Sequence, residues 1–335
     1  MRTFAVHQLR VTCEAETRIL LNEHKGSAIR GALFQALRGP QVPRGAWAGF
    51  CANKQAPHCS LCPVSNICPV MHLVSTLHED RHFGRDAPRP YVINPPLDLW
   101  KLEYEPGERF CFDLILVGEA AQLFPYVVLA LERLAYDGLG KRQPQQDGRY
   151  RRGRARILAM DAVHPLRGEV APVLREGERN VQVPSLPVKH RDVSAAAKRL
   201  RRSGQLTLRF LTPARIVERG ALLKEMRFRP LMQRLLERLK ELVEHFSSSK
   251  VPYDIKALRD MAEGVKLVAD RTEWVELRGY STRLGREQQL GGLMGEATFE
   301  CEDWSPFLPW LIWGTIVHVG KNAVKGDGWF EIVSD

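Results

Sequence analysis

Residues 22–38 read NEHKGSAIRGALFQALR and set His24 beside Lys25 at the mouth of a helix-like segment that also carries Arg30 and Arg38. A histidine moves protons near neutral pH because its unperturbed pKa is about 6.5. Lysine and arginine hold positive charge against an anion as it develops. His24 is the candidate acid or base here, with Lys25 or Arg30 as electrostatic stabiliser. A solvated loop histidine is the plain alternative. Arg30 and Arg38 are eight residues apart, so two helical turns bring them near one face.

A second chemistry-bearing group is the spacing Cys51-x7-Cys59-x2-Cys62-x5-Cys68. The chain has 7 cysteines, and the other three (Cys13, Cys111, Cys301) are scattered. Bunched thiols in a chain without a signal-peptide pattern suggest a metal site rather than a disulfide framework. Four thiolates suit a structural zinc; an iron–sulfur cluster is the less favoured occupant. His58 or His72 could replace one ligand. His78 and His82 sit at i, i+4 but lack an H-E-x-x-H pattern, so no catalytic zinc is expected.

The chain has 335 residues, 44% hydrophobic and 26% charged, with a formal charge of +10. That length suggests roughly two domains. No apolar run of about 20 residues is present, so no membrane span is expected, and a cytoplasmic setting follows. The positive balance points to a polyanionic partner, nucleic acid rather than membrane. GRYRRGRAR (148–156) supplies Arg149, Arg151, Arg152 and Arg154. KHRDVSAAAKRLRRSG (189–204) places Lys198, Arg201 and Arg202 at i, i+3 and i+4. The turn RLGRE (283–287) is a further candidate grip.

These residues need elements to position them. Alternation over 3–13 predicts a strand, and 26–39 an amphipathic helix. Residues 41–96, rich in Pro, Cys and His, read as an irregular insertion. A strand (108–118), a helix (121–138) and a strand (153–164) follow. The second half predicts a strand (204–217), a helix (227–246), two strands within 272–302, a helix (305–320) and a closing strand. The expected organisation is therefore a first domain over 1–164, with its Cys-rich insertion at 41–96. A basic linker or helical segment follows over 165–203, and a second domain over 204–335.

One motif recurs. GLGKRQPQQDGRY (138–150) and HVGKNAVKGDGWF (318–330) share Gly-Lys, five residues, Asp-Gly, one residue and an aromatic. Gly140, Lys141, Asp147, Gly148 and Tyr150 align with Gly320, Lys321, Asp327, Gly328 and Phe330. Each copy is expected as a loop between helix and strand. Glycines let backbone amides approach an anion, and lysine adds a charge. Phosphate contact by Lys141, Arg142, Lys321 and Lys325 is the reading favoured, with packing as a second role. The order helix–loop–strand excludes a Walker A nucleotide site.

GSAIRGAL (26–33), CSLCPVSNICPV (59–70), PYVINPP (90–96), GLGKR (138–142), LTPARI (211–216), GGLMGEATFE (291–300) and HVGKNAVKGDG (318–328) occur in one order along nearly the whole chain. In this the sequence resembles the CRISPR precursor-RNA processing endoribonucleases of the RAMP superfamily. His318 stands where that family commonly has the first glycine of its late loop. The resemblance implies an α+β fold of two tandem ferredoxin-like (RRM-like) domains with a cysteine-rich insertion in the first. It implies metal-independent cleavage of CRISPR repeat RNA. A 2′-hydroxyl attacks the adjacent phosphate, giving a 5′-hydroxyl and a 2′,3′-cyclic phosphate, and no cofactor takes part. It also implies retention of the crRNA stem–loop and handover to CRISPR effector-complex subunits. Family members often carry a catalytic histidine near the first helix, which points to His24, while His318 is a second candidate and an RNA contact. A non-catalytic RNA-binding RAMP subunit of an effector complex is the alternative.

Overall fold

The computed structural model describes residues 1–39, 49–51, 53–56, 59–74, 88–200, 204–281 and 286–333. His58, His78, His82, Arg201, Arg202 and most of the 283–287 turn lie outside them.

In the first half the elements are β1 (Ala5–Ala15), β2 (Ile19–Leu20), α1 (Lys25–Arg38), α2 (Pro69–Leu73), β3 (Tyr91–Asn94), β4 (Glu103–Tyr104), β5 (Arg109–Val117) and α3 (Phe124–Asp137). Then come β6 (Leu139–Pro144), β7 (Tyr150–Gly153), β8 (Ala155–His164), β9 (Glu169–Arg175), β10 (Val188–Lys189) and α4 (His190–Arg199). The second half opens with β11 (Gly204–Ala214), β12 (Val217–Glu218), β13 (Ala221–Leu222), α5 (Phe228–Phe246) and α6 (Ile255–Met261). It closes with β14 (Lys266–Val275), β15 (Arg278–Ser281), β16 (Arg286–Gln289), β17 (Gly292–Cys301), α7 (Leu308–Val317) and β18 (Phe330–Val333).

Two antiparallel sheets organise these elements. The first runs β3-β5-β1-β8-β9, with β10 pairing the start of β1; the second runs β14-β17-β11-β18. Numbered within each half, the βαββαβ strands take the same spatial order, 2-3-1-4. The fold is therefore α+β, with two tandem ferredoxin-like units. Helix α1 forms because Ile29, Ala32, Leu33, Ala36 and Leu37 make one buried stripe. It stops at Gly39, whose φ of 74° an L side chain resists. Helix α5 buries Leu231, Leu235, Leu239 and Leu242 completely, each worth about 1.5–3 kcal/mol relative to exposure. Helix α7 is apolar on nearly every face and is correspondingly enclosed. Phe4, Val6, Val92, Ile115 and Val117 of the first unit join the core of the second, while Leu9, Ile29, Leu114 and Leu131 belong to a separate core of the first.

Three expectations change. Tyr91–Asn94, placed in the insertion, is strand β3 of the first sheet, buried along its whole length. Four apolar-flanked residues between prolines are too short for periodicity to separate from loop. The first sheet does not end at residue 164, because β9 pairs with β8 and β10 with β1 within the stretch read as a linker. The segment after Gly138 is a hairpin, β6 with β7, rather than a loop. No helix among the described residues is long and apolar enough to cross a membrane.

Candidate RNA-cleavage site

The loop from His318 to Gly328 docks between α1 and β3. A Cβ on Gly26 would overlap the carbonyl oxygen of Lys325. Gly326, with φ of 98°, would meet Pro95 and the carbonyl of Ile93. Gly328 and Gly320 also have positive φ and abut the backbones of Val319 and Arg215. The loop's amides are used internally. Gly328 N–H donates to Pro213 O (2.9 Å) and Lys321 N–H to Arg215 O (3.0 Å). Thr212 Oγ1 donates to Gly326 O (2.6 Å) and accepts from Trp329 N–H (2.9 Å). These glycines and amides serve docking, so the favoured phosphate-to-backbone reading of this loop is corrected.

His24 closes the junction from the other side. It caps α1, its Nδ1 accepting from Ser27 N–H (3.1 Å). That assigns the ring hydrogen to Nε2, which donates to Asp327 Oδ1 at 2.6 Å. The pair is buried, at 4% and 2% side-chain exposure. Both ring nitrogens are therefore committed, one to a helix and one to the other unit. Lys25 donates through Nζ to Asp98 O, and burial pushes its pKa down.

An open cleft of about 280 Å³ runs beside this junction, lined by Glu23, His24, Lys25, Pro95, Lys325 and Asp327 among others. Lys325 extends into a crowd of cations. Burial lowers its pKa first, and Arg30, Arg89 and Arg215 lower it further, against a smaller opposing effect of Asp327. Arg30 has a buried Nε with no partner, as has Arg215, whose Nη1 donates to Gly291 O. Arginines elsewhere differ. Arg10 pairs with Asp113 (3.0 Å), Arg175 with Asp161 (2.6 Å) and Arg209 with Glu296 (2.7 Å). Those three are paired with carboxylates, whereas Arg30, Arg215 and Lys325 form no ion pair among the described residues and could take a phosphate as partner.

The family model of the CRISPR-associated endoribonuclease Cas6 matches residues 208–330, and a second model, AF_1859_N, an N-terminal domain, matches residues 4–186. Residues 208–330 thus carry a Cas6-family endoribonuclease domain, behind a first half that matches the AF_1859_N family. A comparison with curated proteins gave no match. Among solved structures, the chain is similar to one in a partial Cas6-RT-Cas1–Cas2 complex, with TM-score 0.58 and 13% identity, covering 100% of this chain and 47% of that one. It spans 29% of the chain in a fuller Cas6-RT-Cas1–Cas2 complex, at TM-score 0.58 and 13% identity over 100% of this chain. It is also similar to a Thermus thermophilus Cas6, with TM-score 0.52 and 14% identity over 99% of this chain and 100% of that one. These likenesses establish the fold.

Within this frame the expected residues divide. His24, Lys25 and Lys325 meet at the cleft, with Arg30 beside Lys325. Arg38 does not: its guanidinium faces the insertion and donates to Lys54 O (3.4 Å). Lys141, Arg142, Arg149, Arg151 and Arg154 are exposed on or beside the β6–β7 hairpin, and Arg152 is half-buried there. Lys198 is exposed on α4, which packs against α7, and Lys321 is exposed at the loop's start. His318 is fully buried, so its expected RNA contact is corrected. Its ring stacks on Trp329 at 5.6 Å, and burial followed by Arg238 drives its pKa well below the usual value. It sits at φ 62°, ψ 174°, a region that glycine alone adopts without strain.

Among the described residues no three of His, Cys, Asp or Glu are grouped so as to hold a metal ion. Cys51 lies near Cys68 and Cys59, which add to the burial that raises its pKa. Three residues of the junction were missed. Arg215 lies in the quoted LTPARI segment, Asp327 in the aligned repeat, and Arg89 had no local signal.

Proposed function

We propose that this chain is a metal-independent endoribonuclease that cleaves CRISPR repeat RNA at the cleft between α1 and the 318–328 loop. The observation that carries the reading is Lys325 at the cleft with Arg30 and Arg215 close to it, none of them in an ion pair among the described residues. In the reaction the O2′–P bond forms as O2′ loses its proton, the P–O5′ bond breaks, and O5′ gains a proton. The products are a 2′,3′-cyclic phosphate and a 5′-hydroxyl. The crowded pentavalent phosphorane is what fixed cations stabilise beyond the ground state. Lys25 is held beside the site, and His24 sets the height of α1 against the loop. The exposed arginines of the hairpin and Lys198 of α4 hold the RNA stem by its phosphates, a mode suited to A-form RNA.

Retention of the cut stem–loop and delivery to CRISPR effector-complex subunits complete the proposal. A similar structure of 17% identity and TM-score 0.52 is described as a Cas6 product complex, which supports retention by likeness of fold only. One observation favours the non-catalytic alternative: His24, the histidine best placed to move protons, has both nitrogens occupied. Incubating the protein in EDTA with RNA carrying the repeat of its own genome's CRISPR array separates the two. Cutting that a 2′-deoxy substitution at the cut site abolishes supports the enzyme. Tight binding without cutting supports the scaffold.

A further inference from the structure

The geometry assigns to Lys325, rather than His24, the role of general acid that protonates the leaving O5′. This assignment rests on the cleavage reading above. Five ionisable side chains line the cleft: Glu23, His24, Lys25, Lys325 and Asp327. His24 and Asp327 are committed to each other (2.6 Å), and His24 Nδ1 to the cap of α1. Lys25 is tied to Asp98 O. Glu23 is exposed, and its Oε2 accepts from Arg278 N–H (3.4 Å). Lys325 has no hydrogen-bond or ion-pair partner among the described residues, and it is the proton-bearing cation there with a free end.

Its surroundings make it a donor rather than a passive charge. Arg30 on α1, Arg89 before β3 and Arg215 after β11 act on it from three sides, and Asp327 from its own loop. Guanidinium groups do not give up protons in this range, so the arginines fix charge while the ammonium is the group that can transfer one. Crowding by like charge eases that transfer, and burial acts in the same direction. The step balances. O2′ attacks phosphorus and loses its proton to a solvent base. The P–O5′ pair leaves with oxygen as Nζ–H passes its proton to O5′. The neutral amine then takes a proton from water. His24 becomes a positioning residue, fixing through Asp327 the loop that carries Lys325.

The test uses the whole protein in EDTA, with the cut site first mapped on the repeat RNA of its own genome's array. Two substrates are compared under single turnover: all-oxygen RNA, and RNA with a bridging 5′-sulfur at the cut. Sulfur leaves without protonation. Lys325→Ala and Lys325→Arg are expected to lose about 10²–10⁴-fold on the oxygen substrate. Both should cut the 5′-thio RNA within a few-fold of wild type. Lys325→Arg keeps the charge, so its RNA affinity should stay near wild type, separating proton transfer from binding. The wild-type rate on oxygen should fall on the alkaline side at a pH below the ordinary lysine value, and that limb should vanish with the thio substrate. Equal loss on both substrates overturns the assignment, as does undiminished cutting of the oxygen substrate. Wild-type protein that binds but cuts neither RNA overturns the cleavage reading itself.

Discussion

Residues 138–150 form an exposed β-hairpin, whereas residues 318–330 form a half-buried wedge between two units, although the two stretches share the spacing Gly-Lys, five residues, Asp-Gly. In the hairpin, Asp147 is exposed and accepts from Arg151 Nη2 (2.6 Å) in solvent. In the wedge, the aligned Asp327 is buried and bound to His24. Gly148 has φ of 74° with open space where a Cβ would stand; Gly328 has φ of 67° with the Val319 backbone there. One spacing thus supports two designs: a basic finger held out to solvent, and a rigid clasp. What separates them is the partner each meets. The first lies along β2, where Gly140 abuts Leu20, and leaves its tip free. The second meets α1 and β3 and is enclosed.

The contrast should be plainest at the two aspartates. Asp327→Ala leaves the His24 Nε2–H buried without its acceptor, and an unsatisfied buried donor costs about 1–3 kcal/mol. Asp147→Ala removes an exposed pair worth about 1 kcal/mol or less. Denaturant unfolding of both variants checks this, and equal losses would erase the distinction between clasp and finger. The glycines come next. Gly26→Ala drives a methyl into the Lys325 carbonyl, a backbone atom that cannot swing aside, and should cost about 3 kcal/mol. Gly148→Ala meets nothing and bears only the left-handed strain of about 1–2 kcal/mol. Thermal melts in which the two variants match would show that the docking is looser than described.

The lysines give a smaller effect of opposite sign. Lys325 lies among arginines, so Lys325→Met should raise stability by about 1 kcal/mol while slowing cleavage about 10²–10⁴-fold, the trade expected of a site kept strained for function. Lys141→Met should change stability by less than about 0.5 kcal/mol. The pH dependence follows from the lowered Lys325 pKa. Between that folded value and the ordinary lysine value of 10.5 the unfolded chain binds more protons, so stability contributed by this group rises with pH through that window. Lys25, also lowered by burial, acts in the same sense. Lys325→Met should reduce the rise measured by urea unfolding at alkaline pH; an unchanged rise would place the effect on Lys25 alone.

Much of this was legible in residue order, and its limits are physical. The amphipathic stripe of α5, the enclosed apolar α7 and the doubled strand–helix alternation follow from periodicity, which acts within one element. His24 could be singled out as the residue before a helix. Its partner could not, because Asp327 lies 303 residues away and nothing local marks the pairing. Strand β3 was hidden by its length, and β9 by a central proline in a short stretch whose apolar residues do not alternate with polar ones. The cation junction draws single residues from four segments: Arg30, Arg89, Arg215 and Lys325. A basic run reveals itself by density, whereas this cluster exists only once the chain is folded. The densest run went to the exposed finger and the isolated cations to the cleft.

That reversal makes the finger's contribution separable from the clasp's. Arg149 and Arg151 are exposed, and their replacement by Ala should leave folding stability within about 0.5 kcal/mol of wild type. If each neutralises one RNA phosphate, each loss should lower the slope of log K against log salt by roughly 1, and do so alike for every RNA sequence. Affinity at low salt should fall several-fold, and the single-turnover rate at saturating RNA should not change. A rate that falls with the slope unchanged would move the hairpin into the reaction centre. A slope that drops for the repeat RNA but not for an unrelated stem–loop would give the finger a part in choosing the substrate.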